Sequence, residues 1–367
     1  MKVDFLNLKV INQRFEKQLF ECYQKVMDSA HYILGENLTL FEQEFAGFCD
    51  TQYAVGVGSG LDALRLILEA YKNLGKLKEG DRIAVAANTF IATILAIRQA
   101  GLQPVLIEVE PKKFNFSSED LLKKLTPEVK AIMPVHLYGQ LAPMQEIMEL
   151  ADSKSLLVIE DAAQAHGARD KYNRRAGAIG HAAAFSFYPS KNLGALGDAG
   201  AITTSDKQLA DEIVSLRNYG SSQRYIHEKL GFNSRMDEMQ AAFLRIKLPS
   251  LDADNQKRQK IAMRYIKEVN NPKILMPIYS GAEDHVFHLF VVQVENRKEL
   301  MEYLNEKNIG CLIHYPIPPH QQKALIELKN LKLPITERLH QQVLSLPISP
   351  VMENEQVEYV IDCLKAY

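Results

Sequence analysis

The chain has few cysteines, almost no net charge and no long apolar run. A net charge of −2 over 367 residues gives no electrostatic reason to propose DNA, RNA or an anionic membrane as a partner. No apolar run reaches the roughly 18 residues that a membrane-spanning helix needs, and the first residues lack an export signal. We therefore expect a cytoplasmic protein that acts on a small soluble ligand. Neither a zinc site nor a disulfide framework is indicated, because no Cys-x-x-Cys pair occurs among Cys22, Cys49, Cys311 and Cys363.

Apolar strand-like runs alternate with helix-like segments over the first part of the chain. The runs are 53–57, 82–86, 104–108, 129–135, 156–160 and 200–204. This alternation predicts an α/β domain with a largely parallel sheet. From Leu251 onward the pattern changes to a charged helix, a stretch with Pro and Gly, and a strand, helix, strand unit over 287–313. We therefore predict a large domain at 1–249 and a smaller one at 250–367.

An apolar run, Ser155-Leu-Leu-Val-Ile-Glu-Asp161, ends in two acids. It is typical of a buried parallel strand that delivers Asp161 at its carboxyl end, where open α/β sheets bind their ligands. The alternative is that Asp161 caps a following helix, since Asp before Ala-Ala-Gln is an acceptable helix start.

Lys191 lies in Phe185-Ser-Phe-Tyr-Pro-Ser-Lys-Asn-Leu-Gly194, between an apolar run and a glycine-rich segment. Such glycines suit a place where the backbone approaches a ligand closely. An amine that joins an aldehyde as a Schiff base, beside a carboxylate at a pyridine nitrogen, is the recurring protein contribution to pyridoxal phosphate (PLP) chemistry. Lys191 and Asp161 together predict a PLP site, although a lysine after Pro-Ser is by itself usually a solvated surface group.

A glycine-rich turn, Gly56-Val-Gly-Ser-Gly60, leads directly into a helical segment that begins with Leu61. A turn of this kind presents free backbone N–H groups and a partial positive charge, which suits a phosphate. A dinucleotide fingerprint is not indicated, because the third glycine comes one residue early. A strand-to-helix turn without a ligand is the structural alternative.

Two more residues are candidates for cofactor contacts. Ser186 lies a few positions before Lys191, so a strand and a turn bring a hydroxyl to one end of a small ring and an amine to the other. Phe90 follows the second strand and is placed to stack on a ring. The ordinary alternatives are a strand serine bonded to backbone and a phenylalanine in the core.

Seven segments resemble, in one order and over essentially the whole chain, the DegT-type sugar aminotransferases. They are Gly-Ser-Gly-Leu-Asp-Ala-Leu, Asn-Thr-Phe-Ile-Ala-Thr, Pro-Val-His-Leu-Tyr-Gly-Gln, Glu-Asp-Ala-Ala-Gln-Ala-His-Gly, Phe-Ser-Phe-Tyr-Pro-Ser-Lys-Asn, Leu-Arg-Asn-Tyr-Gly and Gly-Phe-Asn-Ser-Arg-Met-Asp-Glu-Met-Gln-Ala-Ala. The resemblance implies the PLP-dependent transferase type I fold, with a large α/β domain built on a mixed, mostly parallel sheet. A smaller C-terminal α+β domain and a homodimer with a composite active site are also implied.

The resemblance also implies a role for each site residue. Lys191 would bind the PLP aldehyde as a Schiff base, Asp161 the pyridine nitrogen and Gln164 the 3-hydroxyl, while Phe90 would stack on the ring. The phosphate would be held by Ser186, by the backbone of Gly60 and Leu61, and by Asn233 of the other subunit. The family often has threonine where this chain has Leu61, so a side-chain bond to the phosphate is lost there.

The implied substrates are a nucleotide-linked keto-sugar and L-glutamate as amino donor. The segments Leu216-Arg-Asn-Tyr-Gly-Ser221 and His314-Tyr-Pro-Ile-Pro-Pro-His320 look most like enzymes that aminate C3 of a dTDP-3-keto-6-deoxyhexose. The product would be a deoxyamino sugar for lipopolysaccharide or another surface polysaccharide. Amination at C4 of a UDP- or GDP-linked 4-keto-6-deoxy sugar is the alternative. Expected substrate contacts, whose rings offer hydrogen bonds and flat apolar faces, are His314, Tyr315, His320, Tyr188 and Tyr219.

Two other functions are open from the sequence. Some relatives carry histidine in place of the lysine and dehydrate sugars, and Lys191 argues against that class. A sugar-nucleotide-binding or regulatory protein without turnover is the other rival. A pure binder would not need a Schiff-base amine.

The proline-stiffened segment 314–320 also has an alternative to the predicted substrate contacts, namely a rigid surface loop without a binding role.

Overall fold

The computed structural model describes all 367 residues of the chain. Three helices precede the first strand, namely α1 (Leu8–Gln13), α2 (Glu16–Ser29) and α3 (Glu36–Cys49). Helix α3 covers one face of the sheet that follows, because Phe41 and Phe45 pack edge-on against Phe187, with ring centroids 5.5 and 5.2 Å apart.

Seven strands form the central sheet, in the order β1-β7-β6-β5-β4-β2-β3. They are β1 (Tyr53–Val57), β2 (Arg82–Ala86), β3 (Gln103–Ile107), β4 (Val129–Met133), β5 (Leu157–Asp161), β6 (Ala182–Ser186) and β7 (Gly200–Thr204). Strand β7 is antiparallel to both of its neighbours, and the other pairs are parallel. Apolar side chains run along both faces, as in sheets that helices cover on each side. The predicted α/β fold with a mixed, mostly parallel sheet is confirmed.

Six helices accompany the strands of this sheet. Serine and aspartate side chains start three of them, since Ser59, Ser117 and Asp206 each accept a hydrogen bond from a backbone N–H of the first turn. The helices are α4 (Gly60–Asn73), α5 (Ile91–Gln99), α6 (Ser118–Lys124), α7 (Met144–Lys154), α8 (Lys207–Leu216) and α9 (Glu238–Lys247). A short hairpin between α8 and α9 consists of β8 (Ser221–Gln223) and β9 (Ile226–His227).

Most of the rest of the chain packs around a second apolar cluster that includes Tyr265 and Phe290. The elements of this cluster are α10 (Leu251–Glu268), β10 (Phe290–Gln293), α11 (Arg297–Glu306), β11 (Val343–Leu346) and α13 (Asn354–Ala366). Helix α12 (Pro334–Gln342) instead packs through Leu339 on the core of the central sheet. Val3 belongs to the same cluster and bridges to Ile309, so the start of the chain packs here too. The domain division at 249/250 stays a prediction. Short 3-10 turns lie at Leu137–Gly139, Leu248–Ser250, Pro319–Gln321 and Lys323–Leu328.

One predicted strand is absent. The second strand of the unit expected over 287–313 does not form, because β10 pairs with the later strand β11 instead. Residues 309–313 contribute only isolated bridges, from Ile309 to Val3 and from Leu312 to Ser345.

None of the helices is both long and apolar enough to cross a membrane.

A buried carboxylate, Glu160, anchors the strand that carries Asp161. Its two oxygens accept hydrogen bonds from the backbone N–H groups of Gly177, Ile179 and Gly180 at 2.6–2.9 Å. They also accept one from Nε2 of His136 at 2.9 Å, because Nδ1 of that ring accepts from the Ala142 N–H. Burial alone would raise the pKa of Glu160, but the hydrogen bonds from His136 and from the backbone N–H groups outweigh burial and hold the pKa below its ordinary value.

We expect Glu160→Gln to lower the free energy of unfolding at pH 7 by about 3 kcal/mol, since it leaves buried donors without a charged acceptor. The depressed pKa means that this stabilisation is present above the unfolded-state pKa of about 4.3 and is lost as the pH falls through the folded-state value. Urea denaturation at pH 7 and near pH 4 measures both effects. Equal stability of the two proteins at pH 7 would contradict the anchoring role.

Candidate active site

The predicted site residues converge at the carboxyl ends of two neighbouring parallel strands. Asp161 is the last residue of β5 and Ser186 the last of β6, and Asp161 pairs with Ala184 in the ladder between them. Lys191 follows in the turn after β6, where its N–H donates to the Tyr188 carbonyl at 2.8 Å. The parallel register therefore places all three at the edge where α/β sheets bind ligands.

Asp161 is buried, and both of its oxygens accept hydrogen bonds. Oδ2 accepts from the Thr93 hydroxyl at 2.8 Å and Oδ1 from the Ala163 N–H at 3.2 Å. Burial raises the pKa of Asp161, and these two hydrogen bonds together with the charge of Lys191 oppose part of that rise. No helix starts after Asp161, so the capping alternative is excluded. The carboxylate is available to a cationic nitrogen.

The amine of Lys191 has no hydrogen bond or ion pair within the chain, and the residue is only partly exposed. Burial lowers its pKa to about 8, and the charge of Asp161 opposes this shift. The charge of this amine contributes to the lowered pKa values of His166, His288 and His314, although burial is the larger cause for each of them. An amine that loses its proton near neutral pH suits both a nucleophile and a base.

The glycine-rich turn and Ser186 are in contact. A Cβ at Gly60 would come within 2.6 Å of the Ser186 Cβ, so the close approach depends on glycine. Gly60 and Leu61 open α4, where backbone N–H groups have no partner within the helix. The Ser186 hydroxyl has only a long contact, 3.4 Å, from the Tyr188 N–H. This cradle fits the phosphate of PLP.

Gln164 links the sheet edge to the loop that carries Tyr315. Its Oε1 accepts from the Tyr138 N–H at 2.6 Å, and its Nε2 donates to the Tyr315 hydroxyl at 3.1 Å. The ring of Tyr315 lies 4.9 Å from that of Phe90. Phe90 is 46% exposed, so it is not the core residue of the alternative interpretation. An aromatic ring and an amide therefore lie within reach of a flat ligand.

The loop 314–320 is held by contacts outside the sheet edge. Nδ1 of His314 lies 2.8 Å from the Ser345 hydroxyl, and its ring stacks on Phe5. His314 lines a cavity of about 480 Å³ together with Ser190 and His288. His320 has no exposed surface, and its Nε2 lies 3.2 Å from a Glu337 carboxylate oxygen. His314 thus lines a cavity, whereas His320 is buried against Glu337 and does not reach that cavity.

Three predicted contacts lie on the surface of the chain. Tyr188 and Tyr219 are about half exposed, and the guanidinium of Arg235 lies 5.2 Å from the Tyr219 ring centroid. Asn233 is exposed and pairs through its backbone with Asn218. These side chains are free to contact a substrate or a second subunit.

Several residues at this edge were not predicted from the sequence. The Thr93 hydroxyl bonds Asp161, and the Thr89 hydroxyl bonds that of Thr93. The backbone N–H of Tyr138 donates to the Gln164 side chain. The segment Asn88-Thr-Phe-Ile-Ala-Thr93 contains both threonines, but Thr89 precedes α5 and only Thr93 lies in it, so helical spacing does not predict that they meet. Which hydroxyl meets which carboxylate depends on how α5 packs on β5.

Comparisons with known proteins agree with this geometry. The sequence pattern of the DegT/DnrJ/EryC1/StrS aminotransferase family matches residues 13–365. A dTDP-3-amino-3,6-dideoxy-alpha-D-galactopyranose transaminase of Aneurinibacillus thermoaerophilus is 49% identical, over 100% of this chain and 99% of that protein. The crystal structure of Streptomyces venezuelae DesV has a TM-score of 0.95 and 44% identity, over 100% of this chain and 98% of that one.

The structure of Bacillus subtilis NtdA, which has the cofactor PMP bound, is 33% identical with a TM-score of 0.91, over 99% of this chain and 84% of that one. PMP is the amine form of PLP, which matches the cofactor predicted from Lys191 and Asp161. The family model spans nearly the whole chain, and both structures share its fold. The chain therefore belongs to the DegT/DnrJ/EryC1/StrS aminotransferase family and is a PLP-dependent enzyme of the type I fold.

Proposed function

We propose that this chain transfers an amino group from L-glutamate to C3 of a dTDP-3-keto-6-deoxyhexose and forms a dTDP-3-amino-3,6-dideoxyhexose. The observation that carries the chemistry is the unpaired Lys191 amine, whose pKa burial lowers to about 8, beside the buried carboxylate of Asp161. The name of the Aneurinibacillus relative supports the dTDP-linked sugar and the C3 position. It favours this substrate over a UDP- or GDP-linked 4-keto sugar.

The residues present fit PLP at this edge of the sheet. When bound, PLP supplies an electron sink for the carbon that loses a proton and carries the amino group between the two substrates. We assign the pyridine nitrogen to Asp161 and the 3-hydroxyl to Gln164, with the ring against Phe90. The phosphate contacts in this assignment are Ser186 and the backbone N–H groups of Gly60 and Leu61.

Lys191 has two tasks in this proposal. Its amine binds the cofactor covalently between turnovers, and after release it takes a proton from the substrate carbon and returns it at the cofactor side. A base must be neutral, and the burial that lowers the pKa of Lys191 to about 8 makes the neutral form accessible at physiological pH. Asp161 stays ionised to hold the pyridine nitrogen protonated.

A pocket beside the short hairpin has the chemistry that a nucleoside diphosphate requires. It has a volume of about 670 Å³, and its walls include Tyr219 and Tyr225 beside the basic side chains of Arg224 and Lys229. Cations bind phosphate oxygens, and aromatic rings stack on a base. We assign Tyr188, His314 and Tyr315 to the sugar, whereas the buried position of His320 favours a supporting role.

The proposal has further parts that rest on the family resemblance. They are a homodimer in which Asn233 of one subunit contacts the phosphate bound by the other, a cytoplasmic location, and use of the product in lipopolysaccharide or another surface polysaccharide. Asn233 is exposed and lies a few residues after the hairpin, which suits contact with a second subunit.

The absorbance spectrum of the PLP-loaded protein tests the proposal. We expect L-glutamate to remove the visible band of the lysine-bound cofactor, and dTDP-3-keto-6-deoxyhexose to restore it, because the amino group then leaves on the sugar. D-glutamate serves as the control donor and should leave the band unchanged. If only a UDP- or GDP-linked 4-keto sugar restored the band, the enzyme would aminate C4 of that sugar instead of C3 of a dTDP-linked one. The absence of a visible band after PLP is added would overturn the cofactor site.

A further inference from the structure

Two buried threonines form a hydroxyl chain that ends on Asp161. The Thr93 hydroxyl lies 2.8 Å from Oδ2 of Asp161, and the Thr89 hydroxyl lies 2.7 Å from that of Thr93. Each threonine is 1% exposed, so no bulk water competes for these bonds. These hydrogen bonds connect Thr89, in the turn before α5, through Thr93 in the first turn of α5 to the end of β5.

The chemistry of the three groups sets the direction of the hydrogen bonds. An ionised carboxylate only accepts, so the single proton of the Thr93 hydroxyl points at Asp161. The Thr93 oxygen must then accept the proton of Thr89. Both hydroxyls are therefore oriented, and the Thr93 hydroxyl is not available to the helix carbonyls that threonine often bonds.

We propose that Thr93 is a positioning residue for Asp161, and that Thr89 holds the Thr93 hydroxyl in the orientation this requires. Thr93 restrains rotation of the carboxylate, so that one of its lone pairs faces the site where a pyridinium N–H would bind, and stabilises its ionised form. This inference rests on the proposed role of Asp161 as the partner of the pyridine nitrogen.

The surroundings of Asp161 show why the Thr93 hydroxyl affects the ionisation of this carboxyl group. The charged and titratable groups that face it are Lys191, His136 and Tyr315. Among the contacts that oppose the effect of burial on its pKa, the Thr93 hydrogen bond is the largest, ahead of the Ala163 N–H and the charge of Lys191. Removal of this hydroxyl raises the pKa of Asp161 further, so the ionised form is lost at a higher pH as the solution is acidified.

Thr93→Val tests the proposal in the PLP-loaded enzyme, since valine keeps the branched shape and removes the hydroxyl. We expect kcat to fall by about 10- to 100-fold, the range for a hydrogen bond to a charged group, with little change in KM. The acid limb of kcat/KM and the pH titration of the visible band should both move to higher pH. Apoenzyme titrated with PLP should bind it more weakly. Thr93→Ser, which keeps the hydroxyl, should restore all four quantities towards wild type.

Two further variants keep the test decisive. Thr89→Val leaves the Thr93 hydroxyl without its donor and should move the acid limb in the same direction by less. Thr204→Val is the matched control, because it removes a buried hydroxyl that donates to the His181 carbonyl at 2.8 Å, at the other end of β6. It should leave the acid limb in place.

An unchanged acid limb and visible-band titration in both Thr93→Val and Thr89→Val would overturn the proposal, as would a failure of Thr93→Ser to restore them. Asp161→Asn, assayed in parallel, separates this failure from that of the proposed function. Wild-type behaviour of Asp161→Asn would overturn the role of Asp161 itself. A slow Asp161→Asn beside an unaltered Thr93→Val would overturn only the role of Thr93.

Discussion

Replacement of Lys191 by alanine should lower kcat by about 10⁴-fold or more, because one change removes both the covalent attachment of the cofactor and the base that moves the proton. The fold should survive. The Lys191 amine has no hydrogen bond or ion pair, and burial disfavours its charged form, so its removal leaves no partner unsatisfied. Turnover with saturating PLP, the visible absorbance band and thermal unfolding measure the three effects. The band should be absent and the melting temperature close to wild type.

Lys247 provides a matched control for this experiment. Burial lowers its pKa to about 8 as well. Its amine, however, donates to the Asn12 side chain at 2.6 Å and to the Gly194 carbonyl at 2.7 Å, which is a structural arrangement. Lys247→Met should therefore reduce stability and keep the visible band. Wild-type turnover of Lys191→Ala, or loss of the band in Lys247→Met alone, would show that the wrong lysine has been assigned.

Asp161→Asn should lower kcat by about 100- to 1,000-fold, which corresponds to loss of one member of a buried charge pair. Asparagine has nearly the same shape and still accepts a hydrogen bond from Thr93, but it carries no charge to keep a pyridine nitrogen protonated. The loss is therefore expected in kcat more than in KM. Steady-state kinetics with PLP in excess, together with a PLP titration of the apoenzyme, measure the effect.

Glu160→Gln is the control for this variant, because Glu160 precedes Asp161 on the same strand and points to the opposite face. It should destabilise the protein while the folded enzyme keeps most of its kcat. Equal losses of kcat in the two variants would mean that both act through the strand, and that Asp161 has no separate electrostatic role.

The architecture could be predicted from local patterns because the apolar runs and their alternation with helices repeat along the chain. Strands β2, β4 and β5 lie where those runs predicted them. The antiparallel direction of β7 and the pairing of β10 with β11 were not predictable in this way. Residues 309–313 have a strand-like composition, but strand pairing depends on which segments the tertiary packing places side by side, and β11 lies beside β10.

The site was predictable to the extent that its residues end predicted strands or lie in turns after them. Asp161, Ser186 and Lys191 are of this kind. Thr93, Tyr138 and the buried position of His320 depend on how α5, the turn at 137–139 and the loop 314–320 pack, and those contacts join residues far apart in the chain.

The sequence by itself determined the chemistry that is possible here, since an amine, a carboxylate and a glycine-rich turn can be identified from residue types and their order. Only the tertiary structure decided the state of those groups. Burial and the Thr93 hydrogen bond set the environment of Asp161, and burial lowers the pKa of Lys191 while the charge of Asp161 opposes that shift. A pKa depends on solvation and on the distances to neighbouring charges, and both are properties of the folded chain.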